Sequence, residues 1–549
     1  MEWELEGMGG LRESFELLFK PKSIAFVGAS NNPDKWGFRI LLNLIRGGFE
    51  GKIYPVNLKE REILGLSAYP GIKEIPDVPE LAVIVVPPTS VIEVLRDSVE
   101  KGIKAGVVIT AGFAEIGREG EKLQKAMAEL TKGRMLVVGP NCNGIMNPSI
   151  KLYSVMPPIF PPPGPVAVIS QSGNVATSIV RRITCRGLGL SKYVSSGNEA
   201  VLTYEDYLEY LGDDPGTKVI LLYIEGIRDG GRFLRVAREV NRKKPVVVLK
   251  GGETPEGAKA AFSHTASLAG SDILFDALCR QSGIVRARDI DELIVMGTAF
   301  LDQPLPKGRR VGIITGGGGW GVLAADACSK MGLKVTSLPE NVLSKLDKIL
   351  PPWWNRGNPV DLVAGTEREA VLRCAEILLK CPAIDALIIL GIVPILPQEL
   401  TRPIKSDIPT WRNLLKKEIP NELKKFFKRI KDLISLYEKP IFVASEIPFA
   451  DLDLEGRISS ELGRINSVCY ASPHEAVLAL SALVRRSEAL RDDQEHKNHH
   501  PPQGKNFFPC ESCGSPKTLP RGCLRPFYLA YAILFLFLGT YFFSKMEVD

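Results

Sequence analysis

The chain has 549 residues, 45% of them hydrophobic and 24% charged, with a formal net charge of +6. That is too long for one hydrophobic core and has the composition of an ordinary soluble protein, so about three domains are expected. The small positive excess lies in local runs without interleaved aromatics, which excludes nucleic acid as the expected partner.

Seven of the ten cysteines stand singly at 142, 185, 279, 328, 374, 381 and 469. They form no disulfide framework. With an acidic start, Met1-Glu2-Trp3-Glu4-Leu5-Glu6, that lacks the apolar core of a secretory signal, they predict a reducing cytoplasmic location.

Residues 22–28 form a short apolar run ending in Gly28, followed by Ala29-Ser30 and, further on, Gly37 and a helical pattern in Ile40, Leu41, Leu44 and Ile45. This is strand, glycine turn, helix. Further β-branched runs follow at 52–57, 81–88, 106–113 and 135–141, with helical material between them. Continuous apolar strands alternating with helices predict a parallel sheet covered on both faces. The first domain is therefore placed at 15–155.

The proline-rich run at 157–165 reads as a linker. A second βα series begins at 166–173 and continues through 219–225 and 245–250, giving a domain at 164–302. A second linker at 303–308 precedes a third series, which opens on 310–319 and runs to about 487. The fold class expected is α/β, three tandem doubly wound parallel-sheet domains. Residues 416–431 are a basic helical stretch, read as a solvated face.

The tail, 488–549, is different. Cys510 and Cys513 have the spacing of a metal knuckle, but only Cys523 lies nearby as a third ligand, too few for a structural zinc, so no metal site is assigned. Residues 526–543 are apolar and uncharged, at about the minimum length that spans a bilayer. A membrane anchor and a non-native extension both fit; nothing in the body calls for a membrane.

The chemistry is concentrated in four places. The turn at Gly28-Ala29-Ser30 suits a phosphate-bearing ligand, because glycine lets phosphate approach the backbone and the helix N-terminus offers free N–H groups. It is not a GxGxxG fingerprint, and Asn57 rather than an acid follows the second strand. Ser170-Gln171-Ser172-Gly173-Asn174 also joins a strand to a helix and reads as an N-cap or as an oxyanion or phosphate cradle. Glu225 ends a buried strand, the place where open α/β sheets put active groups, or else is a solvated strand-end carboxylate. His264 is one of five histidines, three of which crowd into 496–500. It lies in a run of small and hydroxyl residues, Ser263-His264-Thr265-Ala266-Ser267-Leu268-Ala269-Gly270, that reads as a loop suited to a nucleophilic imidazole or as a surface or capping position. The four glycines at 316–319 lack the Gly-Lys-Ser/Thr ending of a P-loop, and no ATP–magnesium constellation stands out anywhere.

In order, these motifs resemble the NDP-forming acyl-CoA synthetase superfamily, and within it the α subunit of ADP-forming acetate–CoA ligase; succinyl-CoA synthetase α is a more distant relative. The resemblance rests on residues 23–30, Gly139-Pro140-Asn141-Cys142-Asn143-Gly144, Ser170-Gln171-Ser172-Gly173, 263–270, 311–324 and Asn358-Pro359-Val360-Asp361, and covers roughly residues 15–487.

It implies a Rossmann-like CoA-binding first domain, with CoA at Gly28, Ala29, Ser30, Gly37, Lys52, Pro55, Asn57, Pro87, Pro88 and Asn141. It implies two flavodoxin-like domains after it, the first carrying a phosphohistidine at His264, a supporting Glu225, and phosphate held by Ser172, Gly173 and Asn174. The family's ATP-grasp portion is missing, so ATP or ADP and magnesium would belong to a separate β subunit, in an α2β2 assembly. The usual Gly-Ala after Thr265 is Ala266-Ser267 here, a departure that would restrict the loop. A non-catalytic CoA sensor and a subunit of a protein acetyltransferase are the competing readings; the presence of both His264 and Glu225 favours the ligase.

Overall fold

The computed structural model describes residues 11–259, 271–363, 368–391, 425–445, 462 and 469–499. Among the described residues three large sheets follow one another along the chain, with a two-stranded hairpin, Glu62–Ile63 and Leu66–Ser67, within the first domain. The first has five parallel strands in the order Lys52–Val56, Ser23–Val27, Leu81–Ile84, Ala105–Val108, Leu136–Val138. Leu81–Ile84 is buried at every position, as expected of a strand covered on both faces. The chain reverses its direction of winding between Ser23–Val27 and Leu81–Ile84, which opens a crevice at their carboxyl ends.

The second sheet has seven strands in the order Val285–Ala287, Val246–Lys250, Val219–Ile224, Pro163–Ser170, Leu190–Ser195, Gly144–Asn147, Leu152–Val155. Gly144–Asn147 runs antiparallel to both of its neighbours. Three expectations change here. The hairpin at 144–155, assigned to the first domain, completes the second sheet, because Tyr193 and Val194 pair with Met146 and Ile145. That sheet is consequently mixed rather than all parallel. The proline-rich run is not wholly a linker either: Pro163 opens a strand and pairs with Leu190, a position where a missing N–H is tolerated.

The third sheet runs Lys334–Val335, Arg310–Thr315, Ala386–Leu390, Ile441–Ala444, Cys469–Tyr470, all parallel, with Val360–Asp361 beside the end of Arg310–Thr315. The described part of the basic stretch is amphipathic: Phe426, Phe427 and Ile430 are buried while Lys425, Lys428 and Arg429 face outward. The helix Pro473–His499 carries the fold past the expected boundary at 487.

The sheets share cores. One apolar cluster joins Val168, Ile183 and Val295 to Ile313, Phe442 and Leu480; another joins Phe26 and Val83 to Ile169, Leu222 and Tyr207. Even the first helix, Leu11–Phe19, packs on the second sheet's side, with Phe15 stacked on Tyr210 at 4.9 Å. No helix among the described residues is long and apolar enough to cross a membrane. The stretch 526–543 and the cysteines at 510, 513 and 523 lie outside the described residues.

Candidate functional site

The site begins with two glycine turns, the first of them held by close backbone packing. Gly28 has φ +91°, and a Cβ there would sit 2.2 Å from the carbonyl oxygen of Val85; a Cβ on Gly37 would sit 1.9 Å from that of Gly28. Only glycine lets strand, turn and helix approach this closely. Asn57 closes the turn from the neighbouring strand. Its Nδ2 donates to Ala29 O at 2.8 Å, and its Oδ1 accepts from the N–H of Lys59 at 2.8 Å and Glu60 at 3.0 Å.

The second turn ends the strand Pro163–Ser170 and opens the helix Gly173–Cys185. Ser170 Oγ donates to Ser172 O at 2.7 Å, which tightens the turn. Ser172 occupies the N-cap position, yet its side chain makes no capping bond. The simple capping account therefore does not explain it. A Cβ on Gly173 would meet the end of the Asn143 side chain at 2.3 Å, so a larger residue there requires that side chain to move.

Both turns open into one cavity of about 1170 Å³, lined on one side by Gly28, Ala29, Ser30, Gly37, Asn57, Pro87 and Asn141 and on the other by Gln171, Ser172, Gly173 and Asn174. Asn141 (φ +56°) bridges the halves, donating from Nδ2 to Asn198 Oδ1 at 3.2 Å. Seven of the ten residues expected around CoA thus line one space with all three of the expected phosphate cradle. Lys52, Pro55 and Pro88 do not. Lys52 starts its strand, at the end away from Val56 and Asn57, and pairs with Asp77 at 3.1 Å. Pro55 is buried within the strand, and Pro88 opens the helix Pro88–Lys101. Trp36 and Lys59 also line the cavity. Trp36 belongs to the glycine-turn segment, but a large half-exposed aromatic there carries no sequence signal of its own.

Glu225 follows the strand Val219–Ile224 and is 6% exposed. Tyr223 donates its hydroxyl to Glu225 Oε1 at 3.4 Å, and burial, with Glu225 beside it, holds that hydroxyl protonated. Glu225 is anchored through its backbone by Gln171, a side chain within the quoted motif to which the sequence assigned no separate role. His264 and its run at 263–270 lie outside the described residues.

Three family models match in succession: a CoA binding domain over residues 22–148, a succinyl-CoA ligase like flavodoxin domain over 163–300, and a ligase-CoA domain over 311–400. The acetate–CoA ligase [ADP-forming] II subunit alpha of Pyrococcus furiosus is 46% identical over 380 residues, 69% of this chain and 82% of that one. The chain belongs to the family of ADP-forming acetate–CoA ligase α subunits. An ADP-forming acetate–CoA ligase of Methanocaldococcus jannaschii is 42% identical over 363 residues, 66% of this chain but 51% of its own length. This chain therefore spans about half of that longer relative. Among solved structures, the acetyl-coenzyme A synthetase 1 of Ca. Korarchaeum cryptofilum, in complex with phosphate and ADP, superposes with a TM-score of 0.75 at 33% identity, covering 88% of this chain and 98% of that one.

The ligase family's three-domain order thus coincides with the three sheets, and the CoA binding model ends at residue 148, inside the hairpin that the fold assigns to the second sheet.

Proposed function

We propose that this chain is the α subunit of an ADP-forming acyl-CoA synthetase that interconverts acyl-CoA, ADP and phosphate with carboxylic acid, CoA and ATP. One observation carries the reading. The Gly28 turn of the CoA binding domain and the Ser172–Gly173 helix start of the flavodoxin domain open into the same cavity, so a thioester and a phosphate meet there.

The first step is attack of a phosphate oxygen on the thioester carbonyl carbon. The C–S bond breaks, the sulfur leaves as the CoA thiolate and takes a proton, and acyl phosphate forms. An imidazole nitrogen of His264 then attacks the phosphorus, the bond from phosphorus to the carboxyl oxygen breaks, and the acid is released. The backbone N–H groups at the start of Gly173–Cys185 and the dipole of that helix stabilise the phosphoryl oxygens. Glu225 stabilises the cationic ring of the phosphohistidine. Phosphoryl transfer depends chiefly on such positioning and charge stabilisation.

The phosphoryl group passes from His264 to ADP on an ATP-grasp β subunit, which also supplies the magnesium site; an α2β2 assembly follows the family pattern, and the location is cytoplasmic. The relatives named as α subunits, and the M. jannaschii relative about twice as long as the matched region, support a second polypeptide portion in the complete enzyme.

The test is incubation of the full chain with acetyl-CoA and radiolabelled phosphate. Label that is acid-labile and base-stable, and absent from His264→Ala, is expected. Equal labelling of that variant would remove His264 from the mechanism.

A further inference from the structure

The group that fixes Glu225 comes from another strand end. Gln171 Oε1 accepts from the backbone N–H of Glu225 at 2.5 Å and of Gly226 at 3.4 Å. With its oxygen committed to those donors, the amide must direct Nε2 the opposite way, where Glu199 Oε2 accepts it at 2.9 Å. Ser196 Oγ donates to the other carboxylate oxygen at 2.7 Å. Glu199 is 1% exposed and adopts φ +54°, a conformation unusual for a residue with a side chain. The backbone is held there by Arg228, which donates to the carbonyls of Glu199 at 2.8 Å and Asn198 at 2.6 Å.

We propose that Glu199 and Gln171 are positioning residues for Glu225: Glu199 sets the orientation of the Gln171 amide, and the amide sets the strand-end turn that presents the Glu225 carboxylate to the phosphoryl-transfer centre. The proposal rests on the functional reading above. Its physical basis is polarity matching. A flipped Gln171 would place Nε2 against two backbone donors and its oxygen against a buried carboxylate, leaving every partner unsatisfied. A buried acceptor on the far side of the amide forbids that flip. Gln171 reaches the turn from the same segment that forms the Ser172–Gly173 cradle, so one side chain aligns cradle and carboxylate. Alignment of this kind is worth large factors in rate, because small displacements of a reacting group are costly.

The polarity argument gives a charge-swap test in the full-length chain, read by the initial rate of phosphorylation from acetyl-CoA and labelled phosphate, by CoA affinity in calorimetry, and by hydrogen exchange of the Glu225 and Gly226 amides. Gln171→Met is expected to slow labelling about 100-fold and to speed exchange at both amides. Both ends of the Gln171 amide are engaged within the protein, so the loss of rate should exceed any change in CoA affinity, even though Gln171 borders the cavity. Gln171→Glu sets two carboxyl groups face to face and, assayed above the pH at which both ionise, should be equally slow. Gln171→Glu combined with Glu199→Gln restores matching, because the new amide at 199 donates to the new carboxylate at 171 and still accepts from Ser196. That double variant should recover most of the wild-type rate, a rescue that general loss of packing cannot produce.

Wild-type labelling in Gln171→Met, or a double variant no faster than Gln171→Glu, overturns the proposal. If the wild-type chain takes no label, the functional reading fails by itself. The exchange measurement then still decides: undiminished protection of Glu225 and Gly226 in Gln171→Met overturns the positioning role.

Discussion

The guanidinium of Arg286 grips the carboxylate of Asp272 with both terminal nitrogens, at 2.6 and 3.2 Å. The same guanidinium bonds Glu253 at 2.6 Å and also Asp276, and lies 5.1 Å from the centre of the Phe275 ring. Glu253 precedes His264 in the chain and Asp272 follows it, so one side chain pins both flanks of the segment that carries the histidine. Arg286→Ala leaves three carboxylates facing one another and is expected to cost about 2–3 kcal/mol in chemical denaturation, less than a fully buried pair because the carboxylates are partly exposed. Arg286→Lys should recover only part of this, since an ammonium cannot reproduce the fork. An unchanged midpoint in Arg286→Ala would count against the clasp.

Glu199 gives the fold a pH dependence of known sign. Burial is the dominant cause and pushes its carboxyl up to about 7; the Arg228 charge and the Ser196 hydrogen bond oppose this, Glu205 adds to it, and the Gln171 hydrogen bond opposes it more weakly. In the unfolded chain the group titrates near 4.5. Between those values the folded protein binds more protons than the unfolded one, so stability falls as pH rises from about 4.5 to about 7 and is level above that. At 1.36 kcal/mol per unit the loss is on the order of 3 kcal/mol. Glu199→Gln should flatten that part of the pH–stability curve, as followed by melting temperature. Parallel curves for the two proteins would contradict the assignment.

The C-terminal helix is tied to the second and third sheets beyond residue 486. Arg309 holds Glu488 with two bonds of 2.6 Å, Arg242 holds Asp493 with two of 2.7 Å, and Ser487 donates to Pro306 O at 2.8 Å. A chain ending at Arg486 should therefore be less stable than one ending at His499, by about 2 kcal/mol once the exposure of the ion pairs is allowed for. Equal melting temperatures would show that these contacts contribute nothing.

Gly28→Ala separates packing from ligand binding. The added methyl group meets Val85 O at 2.2 Å on a backbone already at φ +91°. A loss of about 2–4 kcal/mol is expected in the absence of any ligand, from overpacking and the left-handed conformation together. A variant that melts like wild type and merely binds CoA less tightly would make Gly28 a ligand contact first.

Sequence alone determined the elements and their class. Apolar β-branched runs such as Leu81–Ile84 have to be buried on both faces, and that requirement yields parallel strands with covering helices without any long-range information. Glycines 28 and 173 marked the two turns, and at Gly28 a residue without a side chain is demanded because backbones approach closely. The tertiary structure decided what those turns share. That Gly144–Asn147 pairs with Leu190–Ser195 depends on partners about 50 residues apart, which local pattern does not encode. Lys52 and Asn57 are five residues apart, yet lie at opposite ends of one strand-and-turn segment, so only Asn57 reaches the cavity. The pairing of Gln171 with Glu199 and Glu225 was the least legible of all. A carboxylate orients an amide only when burial has removed water as its alternative partner, and the burial of Glu199 is a property of the assembled sheets rather than of any segment.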